Sequence, residues 1–340
     1  MAFKVLITGA TGYIGGAVLT QFLATRHPGI SISALVRSEK QEELLRDLGV
    51  TPIRFQGLDD VVVIRAQAAL HDVVVSCTST MDKASCIALV EGLGERRQQG
   101  KPAYYIHTSG TSNFGDHPIT GSPDTHILRD VDDVFGWEQK DPSAWSVREV
   151  DVAVTVTGEQ LGVKTFIVNP PIIYGIGNGP GNKLSIQIPT LTKLSLATNQ
   201  AVVFADGKGL WSVTHISDVA RFYDMLLGQI IDGKSVASGK SGYYFLDAGE
   251  VSWLQISQAI AHVGKSRGHF ESEEPKALNP DEFTALLGKP SLNAYKTEVI
   301  WASNSRTRGE EPRARLGTGE SVTDLFRSVE EEFDIIASSI

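Results

Sequence analysis

The chain has 340 residues, of which 41% are hydrophobic and 21% charged, so a large globular fold with a second lobe is expected. Its formal net charge of -9 argues against nucleic acid as the main partner, because polyanion binding relies on a basic surface. The sequence has no apolar run of about 18 residues, so no membrane span is predicted.

The cysteine content and the start of the chain indicate a cytoplasmic location. Two cysteines, Cys77 and Cys86, are too few for a disulfide framework, and their apolar surroundings indicate reduced, packed thiols. The first residues lead directly into a strand without an export signal. We expect a monomer or a homodimer that acts on a small molecule.

Residues 5–16, VLITGATGYIGG, combine a buried strand, a glycine turn and the start of a helix. Glycines at positions 9, 12 and 15 permit a tight turn, a close approach of backbone to pyrophosphate and close packing of helix on strand. The alternative is a glycine-rich turn without a ligand. The residues predicted to contact a dinucleotide here are Gly9, Thr11, Gly12, Tyr13, Ile14 and Gly15.

The end of the predicted second strand, residues 30–36, favours one cofactor over another. A carboxylate there would bind a ribose 2′-hydroxyl, whereas this chain has Arg37, Ser38 and Lys40, which suit a 2′-phosphate. This favours NADP(H). The alternative is that Arg37 and Lys40 begin a solvated helix.

Further strands are predicted at residues 50–56, 72–76 and 103–107. Each is followed by polar residues at its carboxyl end, where open parallel sheets bind ligands. The residues expected at the cofactor on this edge are Asp59, Cys77, Thr78 and Thr108.

The motifs TGATGYIG, Arg37, GLDD, TSGT and NPPIIYG together resemble the extended and atypical short-chain dehydrogenase/reductases. This superfamily includes sugar-nucleotide epimerases and NmrA-like proteins, and the likeness runs from about residue 3 to residue 220. It implies an α/β fold, a Rossmann doubly wound parallel sheet with a smaller, discontinuous substrate-binding lobe. We expect residues 1–175 with about 213–230 to bind NADP(H), and residues 176–212 and 240–340 to form the substrate-binding lobe.

The resemblance also implies a turn along the nicotinamide ring. Asn169 and Pro170 occupy the place of the family's Arg-Pro-Pro turn, with Asn where Arg is usual. Asn169, Pro170 and Ile172 are therefore expected at the cofactor. Tyr174 follows as a candidate proton donor, although this tyrosine is mostly structural in the family.

Redox members of the superfamily use a tyrosine, a lysine four residues later and a serine or threonine. None of the eight tyrosines here has that lysine, and the expected position reads SAWSVREVD. Arg148 is a candidate cation near the ribose, or else forms a surface pair with Asp151. Ser109 is expected to hydrogen-bond a substrate carbonyl, the alternative being a turn cap. His107 is interpreted mainly as a core histidine.

Residues 113–143 are rich in Gly, Pro, Asp and His and show little periodicity. Their place after the fifth strand predicts a substrate-side flap. The acidic and histidine residues have no recognised zinc or calcium spacing, so no metal is predicted.

Three functions are compatible with this pattern. The leading hypothesis is an NADP(H)-dependent reductase of a small organic carbonyl, imine or activated alkene, with Ser109 orienting the substrate. The missing tyrosine and lysine favour a non-redox isomerase, cyclase or lyase on the same scaffold. An NmrA-like NADP(H) sensor without catalysis is the third.

Overall fold

The computed structural model describes residues 3–78, 80–142, 145–310 and 322–340. The strands are β1 (Phe3–Thr8), β2 (Ile30–Val36), β3 (Thr51–Arg54), β4 (Val73–Ser76), β5 (Tyr104–Thr108), β6 (Ile127–Arg129), β7 (Lys164–Asn169), β8 (Ile172–Tyr174), β9 (Val202–Phe204), β10 (Leu210–His215), β11 (Tyr243–Phe245), β12 (Gly249–Ser252), β13 (Lys276–Leu278) and β14 (Arg306–Arg308). The helices are α1 (Tyr13–Thr25), α2 (Glu39–Asp47), α3 (Val61–Ala68), α4 (Lys83–Gln98), α5 (Val134–Lys140), α6 (Ser146–Leu161), α7 (Gln187–Ala197), α8 (Ile216–Ile231), α9 (Trp253–Ser266), α10 (Pro280–Leu287), α11 (Ala294–Trp301) and α12 (Val322–Ala337).

A seven-stranded sheet with the order β3-β2-β1-β4-β5-β7-β11 forms the centre of the fold, and all its pairings are parallel. Alternate residues of β1 enter different cores: Val5 and Ile7 pack with α1 and α8, whereas Leu6 packs with α4 and α6. Burial on both faces explains the continuous apolar run. The predicted doubly wound parallel sheet is confirmed.

The strand order reverses between β1 and β4, which opens the crevice typical of ligand sites in such sheets.

A second hydrophobic core lies outside the central sheet. It joins Trp211 of β10 and Trp253 of α9, whose rings meet edge to face with centroids 5.5 Å apart, to helices α7 and α12. The indole N–H groups of both tryptophans donate hydrogen bonds to Ser303, one to its hydroxyl and one to its carbonyl. The domain boundaries given above remain a prediction.

The interpretation of residues 113–143 as an irregular flap was partly wrong. Within this segment β6 pairs in parallel with β14, and α5 is capped by the side chain of Asp133. The sequence showed no strand here because β6 is only three residues long and its partner comes much later in the chain. Both regular elements follow a connecting loop in the first part of the segment.

That loop, residues 115–126, is anchored to the second core. The buried carboxylate of Glu298 on α11 accepts hydrogen bonds from the backbone of Ile119 and Thr120 and from the Thr120 hydroxyl. Asp116 accepts two more from the backbone and side chain of Asn304. Within the described parts of the chain, no helix has the length and apolarity needed to cross a membrane.

Candidate active site

The glycine turn between β1 and α1 depends on close backbone packing. Gly9 has φ of 73°, and a Cβ there would lie 2.4 Å from the carbonyl oxygen of Cys77. A Cβ on Gly15 would lie 2.2 Å from the carbonyl oxygen of Gly9. At Gly12 the nearest atom to an added Cβ is 3.1 Å away. Gly9 and Gly15 therefore permit the turn itself, whereas Gly12 keeps its outer side open.

This turn fits the pyrophosphate of a dinucleotide. The first amides of α1, which include those of Tyr13 and Ile14, have no carbonyl partner within the helix because of their position. The first helical turn has no acidic residue that would compete with an anion. The backbone N–H of Asn182 donates to the carbonyl of Thr11 at 2.9 Å, so the chain after β8 borders the turn.

The side chain of Gln41 joins the glycine turn to the end of β2. Its amide donates to the Thr11 hydroxyl at 2.9 Å, and its carbonyl accepts from the Arg37 backbone at 2.8 Å. Ser38 caps α2 through a hydrogen bond from the Gln41 backbone. The Arg37 side chain is exposed at this position, as is Asp59 in its turn. The predicted adenosine-end residues thus follow the ends of β2 and β3.

A cavity of about 520 Å³ extends from the glycine turn toward the second core. Several predicted residues lie in its wall, namely Tyr13, Ile14, Cys77, Thr78, Thr108, Ser109 and Pro170. Other lining residues come from the second half of the chain or from the start of α6, among them Trp145, Leu184, Ile186, Trp211 and Ile300. The cavity therefore combines the carboxyl edge of the central sheet with the second core.

Ser109 marks the point where this cavity meets a buried polar cluster. Its hydroxyl donates a hydrogen bond to Oδ2 of Asp151, which is fully buried on α6. The side-chain amide of Asn113 donates to the same carboxylate oxygen and to Oε1 of Glu138, at 2.7 Å each. It also approaches the Ser109 hydroxyl at 3.3 Å. Ser109 is thus oriented by its neighbours.

His107 lies on the other side of Asp151. Its Nε2 is 3.2 Å from Oδ1 of the carboxylate, and both side chains are almost fully buried. Burial opposes a charge on this imidazole, but its contacts with Asp151 and Cys86 outweigh that effect and raise the pKa of His107 to about 10. The histidine and carboxylate form a buried pair that holds a proton at neutral pH.

Glu138 completes the cluster as a second buried carboxyl group. Burial, together with the nearby charge of Asp151, raises the pKa of Glu138 well above its ordinary value. The Glu138 carboxyl group therefore holds its proton more tightly than an exposed glutamate does.

Arg148 makes its hydrogen bonds to backbone carbonyls and not to the carboxyl groups of this cluster. Its guanidinium donates to the backbone carbonyls of Asn113 and Asp141 and lies 4.4 Å from the centroid of the Trp137 ring. Burial lowers its pKa, although Glu138 and Asp141 act in the opposite sense. Arg148 and Asp151 thus turn to different partners, and Arg148 supports the loop that carries Asn113.

The other predicted residues near the Pro-Pro turn are buried behind the cavity wall. Asn169 and Ile172 are fully buried, and the Tyr174 ring packs against His215 with centroids 5.2 Å apart. Ile173 lines the cavity instead of Ile172. Pro170, Pro171 and Ile173 border the cavity, whereas Asn169, Ile172 and Tyr174 do not.

Cys77 and Thr108 adjoin Tyr223 of α8. The Thr108 hydroxyl lies 2.7 Å from the phenol oxygen of Tyr223 and donates to the sulfur of Cys77 at 3.3 Å. Burial raises the pKa of the Cys77 thiol to about 12. The thiol is therefore protonated at neutral pH and is a poor nucleophile.

Sequence reasoning missed Asn113, Glu138 and the tryptophans Trp145 and Trp211. Asn113 lies in a short helical turn at Thr111–Phe114 and follows Ser109 by four residues. This spacing could have indicated that the two side chains lie close together. Glu138 lies on α5, in the segment interpreted as irregular. No local pattern identifies the tryptophans as cavity residues, because their elements meet only in the folded chain.

The sheet order, the glycine turn and the cavity at its carboxyl edge define a Rossmann-type dinucleotide-binding protein. The model of the NAD dependent epimerase/dehydratase family matches residues 5–236. The chain belongs to this family, which lies within the extended short-chain dehydrogenase/reductase superfamily predicted from its motifs.

Individual relatives differ in chemistry. The chain is 27% identical over 334 residues to oxidase ucsJ of Acremonium sp, covering 91% of this chain and 90% of the relative. It is 25% identical over 275 residues to dTDP-4-dehydro-6-deoxy-D-allose reductase of Streptomyces bikiniensis, covering 76% and 80%.

Among solved structures, the chain resembles the dTDP-glucose 4,6-dehydratase DesIV of Streptomyces venezuelae, which holds NAD and TYD. The TM-score is 0.67 at 14% identity, with 98% of this chain and 97% of that chain covered. The UDP-glucose 4-epimerase of Thermus thermophilus, in complex with NAD, gives a TM-score of 0.62 at 15% identity, with 98% and 99% covered. These similarities establish the fold.

Proposed function

We propose that this protein is an NADP(H)-dependent oxidoreductase of a small organic carbonyl, imine or activated alkene. The observation that carries the proposal is the Ser109 hydroxyl, which lines the cavity and donates to the buried Asp151 carboxylate. This arrangement gives a substrate heteroatom a proton partner beside the expected nicotinamide position. Family membership and the open glycine turn support the dinucleotide.

A reduced nicotinamide, when bound, supplies a hydride, so the protein must supply the accompanying proton. In the reductive direction the His107 proton moves to Asp151, and the Ser109 hydroxyl hydrogen turns from Asp151 to the substrate oxygen or nitrogen. Ser109 gives this proton to the substrate and takes the proton now held by Asp151, so that one proton passes from the buried pair to the substrate. In the reverse direction, Ser109 accepts a proton from an alcohol or amine and passes it inward. The relay replaces the missing tyrosine and lysine.

NADP(H) is preferred to NAD(H) because of the residues at the end of β2. Arg37 is exposed and lies next to a turn that Gln41 ties to Thr11. A guanidinium in this position suits a 2′-phosphate through charge and paired hydrogen bonds. The strand ends at Val36 and is followed by Arg37 and Ser38. The first acidic residue after it is Glu39, which already belongs to α2.

The test is transfer of deuterium from NADPH labelled at C4, with the (4R)- and (4S)-labelled forms incubated separately with a panel of uncharged ketones, imines and enones. The proposal predicts that one of the two forms gives labelled product in an amount equal to the cofactor oxidised. Cofactor binding without turnover of any class in the panel would contradict it.

A non-redox isomerase or cyclase is a second candidate. The observation that favours it is the contact between Ser109 and the Asp151 carboxylate. Redox members of the superfamily have their lysine near this position of the helix. A Ser109–Asp151 pair can move a substrate proton without any change in the cofactor. The same assay separates the two functions, since this one yields product without label and without cofactor oxidation. An NADP(H) sensor would bind the cofactor and give no product.

A further inference from the structure

The half of the cavity away from the glycine turn has walls of aromatic and aliphatic side chains. Trp145 and Trp211 lie in this wall with Leu184 and Ile300. Their indole N–H groups are already used, since Trp145 donates to the Ser112 hydroxyl at 3.3 Å and Trp211 donates to Ser303 at 3.0 Å. The tryptophans therefore offer ring carbon, not hydrogen bonds, to a ligand.

Two polar side chains of the cavity wall, those of Gln187 and Asn182, also have protein partners. The Gln187 amide donates to the carbonyl of Ile300 at 3.2 Å. The side chain of Asn182 bonds the backbone of Leu184 through both its oxygen and its nitrogen, at 3.2 and 2.9 Å.

Among the described residues, the hydroxyls of Thr111 and Ser185 also line the cavity and have no hydrogen-bond partner. The groups left to bind a polar substrate therefore include uncharged hydroxyls, with Ser109 among them.

The mouth of the cavity is apolar as well. Met81 and Ile186 both line it and are 52% and 68% exposed. Large aliphatic side chains with this exposure at the edge of a cavity are typical of surfaces that a nonpolar ligand covers.

None of the cavity-lining residues that the structure describes is an Asp, Glu, Lys or Arg. A nucleotide-sugar brings a diphosphate, which proteins bind with Arg or Lys, and an unpaired charge in an apolar cavity is costly. The wall therefore disfavours a substrate with a diphosphate group.

We infer that the substrate is a compact, uncharged molecule with an aromatic or conjugated apolar body, which packs between Trp145 and Trp211 and presents one oxygen or nitrogen to Ser109. This inference rests on the proposed function for the reaction at Ser109, but its binding component can be tested separately. The volume of about 520 Å³ suits a small molecule of this kind next to a nicotinamide ring.

The experiment is calorimetric titration of the full chain saturated with NADP⁺, so that binding is measured without turnover. The ligands are 2-acetylnaphthalene, 2-naphthoate, which has the same rings with a negative charge, and UDP-glucose. We expect saturable binding of the ketone, at least about tenfold weaker binding of the carboxylate, and the weakest binding of UDP-glucose. The nucleotide-sugar measurement includes any contribution of Arg313 and Arg315, which lie outside the described residues.

Two variants locate the binding. Ile186→Asp places a charge at the cavity mouth on an exposed side chain, and we expect it to weaken ketone binding at least about tenfold. Val62→Asp is the matched control, because Val62 is 76% exposed on α3 and does not line the cavity. Equal binding of the ketone by Ile186→Asp and the unaltered chain, or tighter binding of UDP-glucose than of the ketone, would overturn the inference. If the ketone binds as expected but no deuterium is transferred from NADPH to any substrate, the proposed reaction fails and the inference about the substrate stands.

Discussion

Ser109 and Asp151 form a hydrogen bond across the boundary between the cavity and the protein interior. Ser109 follows β5 and Asp151 lies on α6, so the pair depends on packing of this helix against the sheet. The carboxylate is fully buried and is held by Asn113 and His107 on its other sides. The proposed proton relay through the serine hydroxyl depends on this arrangement.

The first prediction concerns that relay. Asp151→Asn keeps the size of the side chain but cannot carry a proton, so we expect kcat to fall by about 100-fold or more while KM changes little. The matched control is Glu149→Gln, because Glu149 lies on the same helix and its carboxylate pairs with Lys83 at the surface. Steady-state kinetics over a range of pH measures both. Unchanged kcat and pH profile in Asp151→Asn would exclude the relay.

The second prediction separates two roles within the glycine turn. Gly12→Ala adds a methyl group with no backbone clash under 3 Å, so the fold should remain while the approach of the pyrophosphate is blocked. We expect the Kd for NADPH to rise at least about tenfold, with little change in Tm. Gly15→Ala places its Cβ 2.2 Å from Gly9 and should lower Tm itself. Equal NADPH affinity in Gly12→Ala and the unaltered chain would show that the turn does not hold the cofactor.

The third prediction concerns cofactor preference. Arg37→Ala removes the cation expected at the 2′-phosphate, so the Kd for NADPH should rise about 10- to 100-fold while the Kd for NADH stays the same. Lys40→Ala, on the same exposed helix start, tests whether nearby positive charge alone is sufficient. Equal weakening for both cofactors in Arg37→Ala would contradict a 2′-phosphate contact.

The fourth prediction concerns Glu332 of α12, which accepts a hydrogen bond from the Gly175 backbone at 2.9 Å. Gly175 in turn accepts one from the Tyr13 hydroxyl at 2.6 Å, so the last helix is tied to the glycine turn. Burial, aided by the charge of Glu331, raises the pKa of Glu332 from 4.5 to about 8. The folded state therefore binds this proton more tightly than the unfolded state does.

The stabilisation by this proton is complete below about pH 4.5 and is lost as pH rises through about 8. Glu332→Gln keeps a hydrogen-bond acceptor but does not ionise, so the variant should not lose this stabilisation as pH rises. The free energy of unfolding of the variant minus that of the unaltered chain should therefore increase by on the order of 4 kcal/mol between pH 5 and pH 8.5. Urea unfolding at several pH values measures this. Glu330→Gln, at an exposed position of α12, is the control. The same pH dependence in both variants would contradict the assignment to Glu332.

The sequence was sufficient for the parts of the fold that depend on local chain properties. The run before Gly9 is apolar because β1 is buried on both faces, and the glycine spacing follows from backbone contacts within one turn. The strand at Ile30–Val36 has the bounds that its apolar content indicated. Such features need no knowledge of distant residues.

The candidate site was less predictable, because its chemistry depends on contacts between distant parts of the chain. The cluster brings together Ser109, Glu138 and Asp151 from three different elements. His107 was interpreted mainly as a core residue, and it is buried. Its contact with Asp151 raises the pKa of the imidazole, which the sequence did not indicate. Burial and pairing of charged groups are properties of the folded chain, so local sequence patterns do not reveal them.

The most direct test of the account is a crystal structure of the chain with NADPH. We expect the pyrophosphate against the amides after Gly12, the 2′-phosphate at Arg37, and the nicotinamide ring in the cavity beside Ser109. A nicotinamide bound outside this cavity, or a bound ring separated from Ser109 by the protein chain, would contradict it.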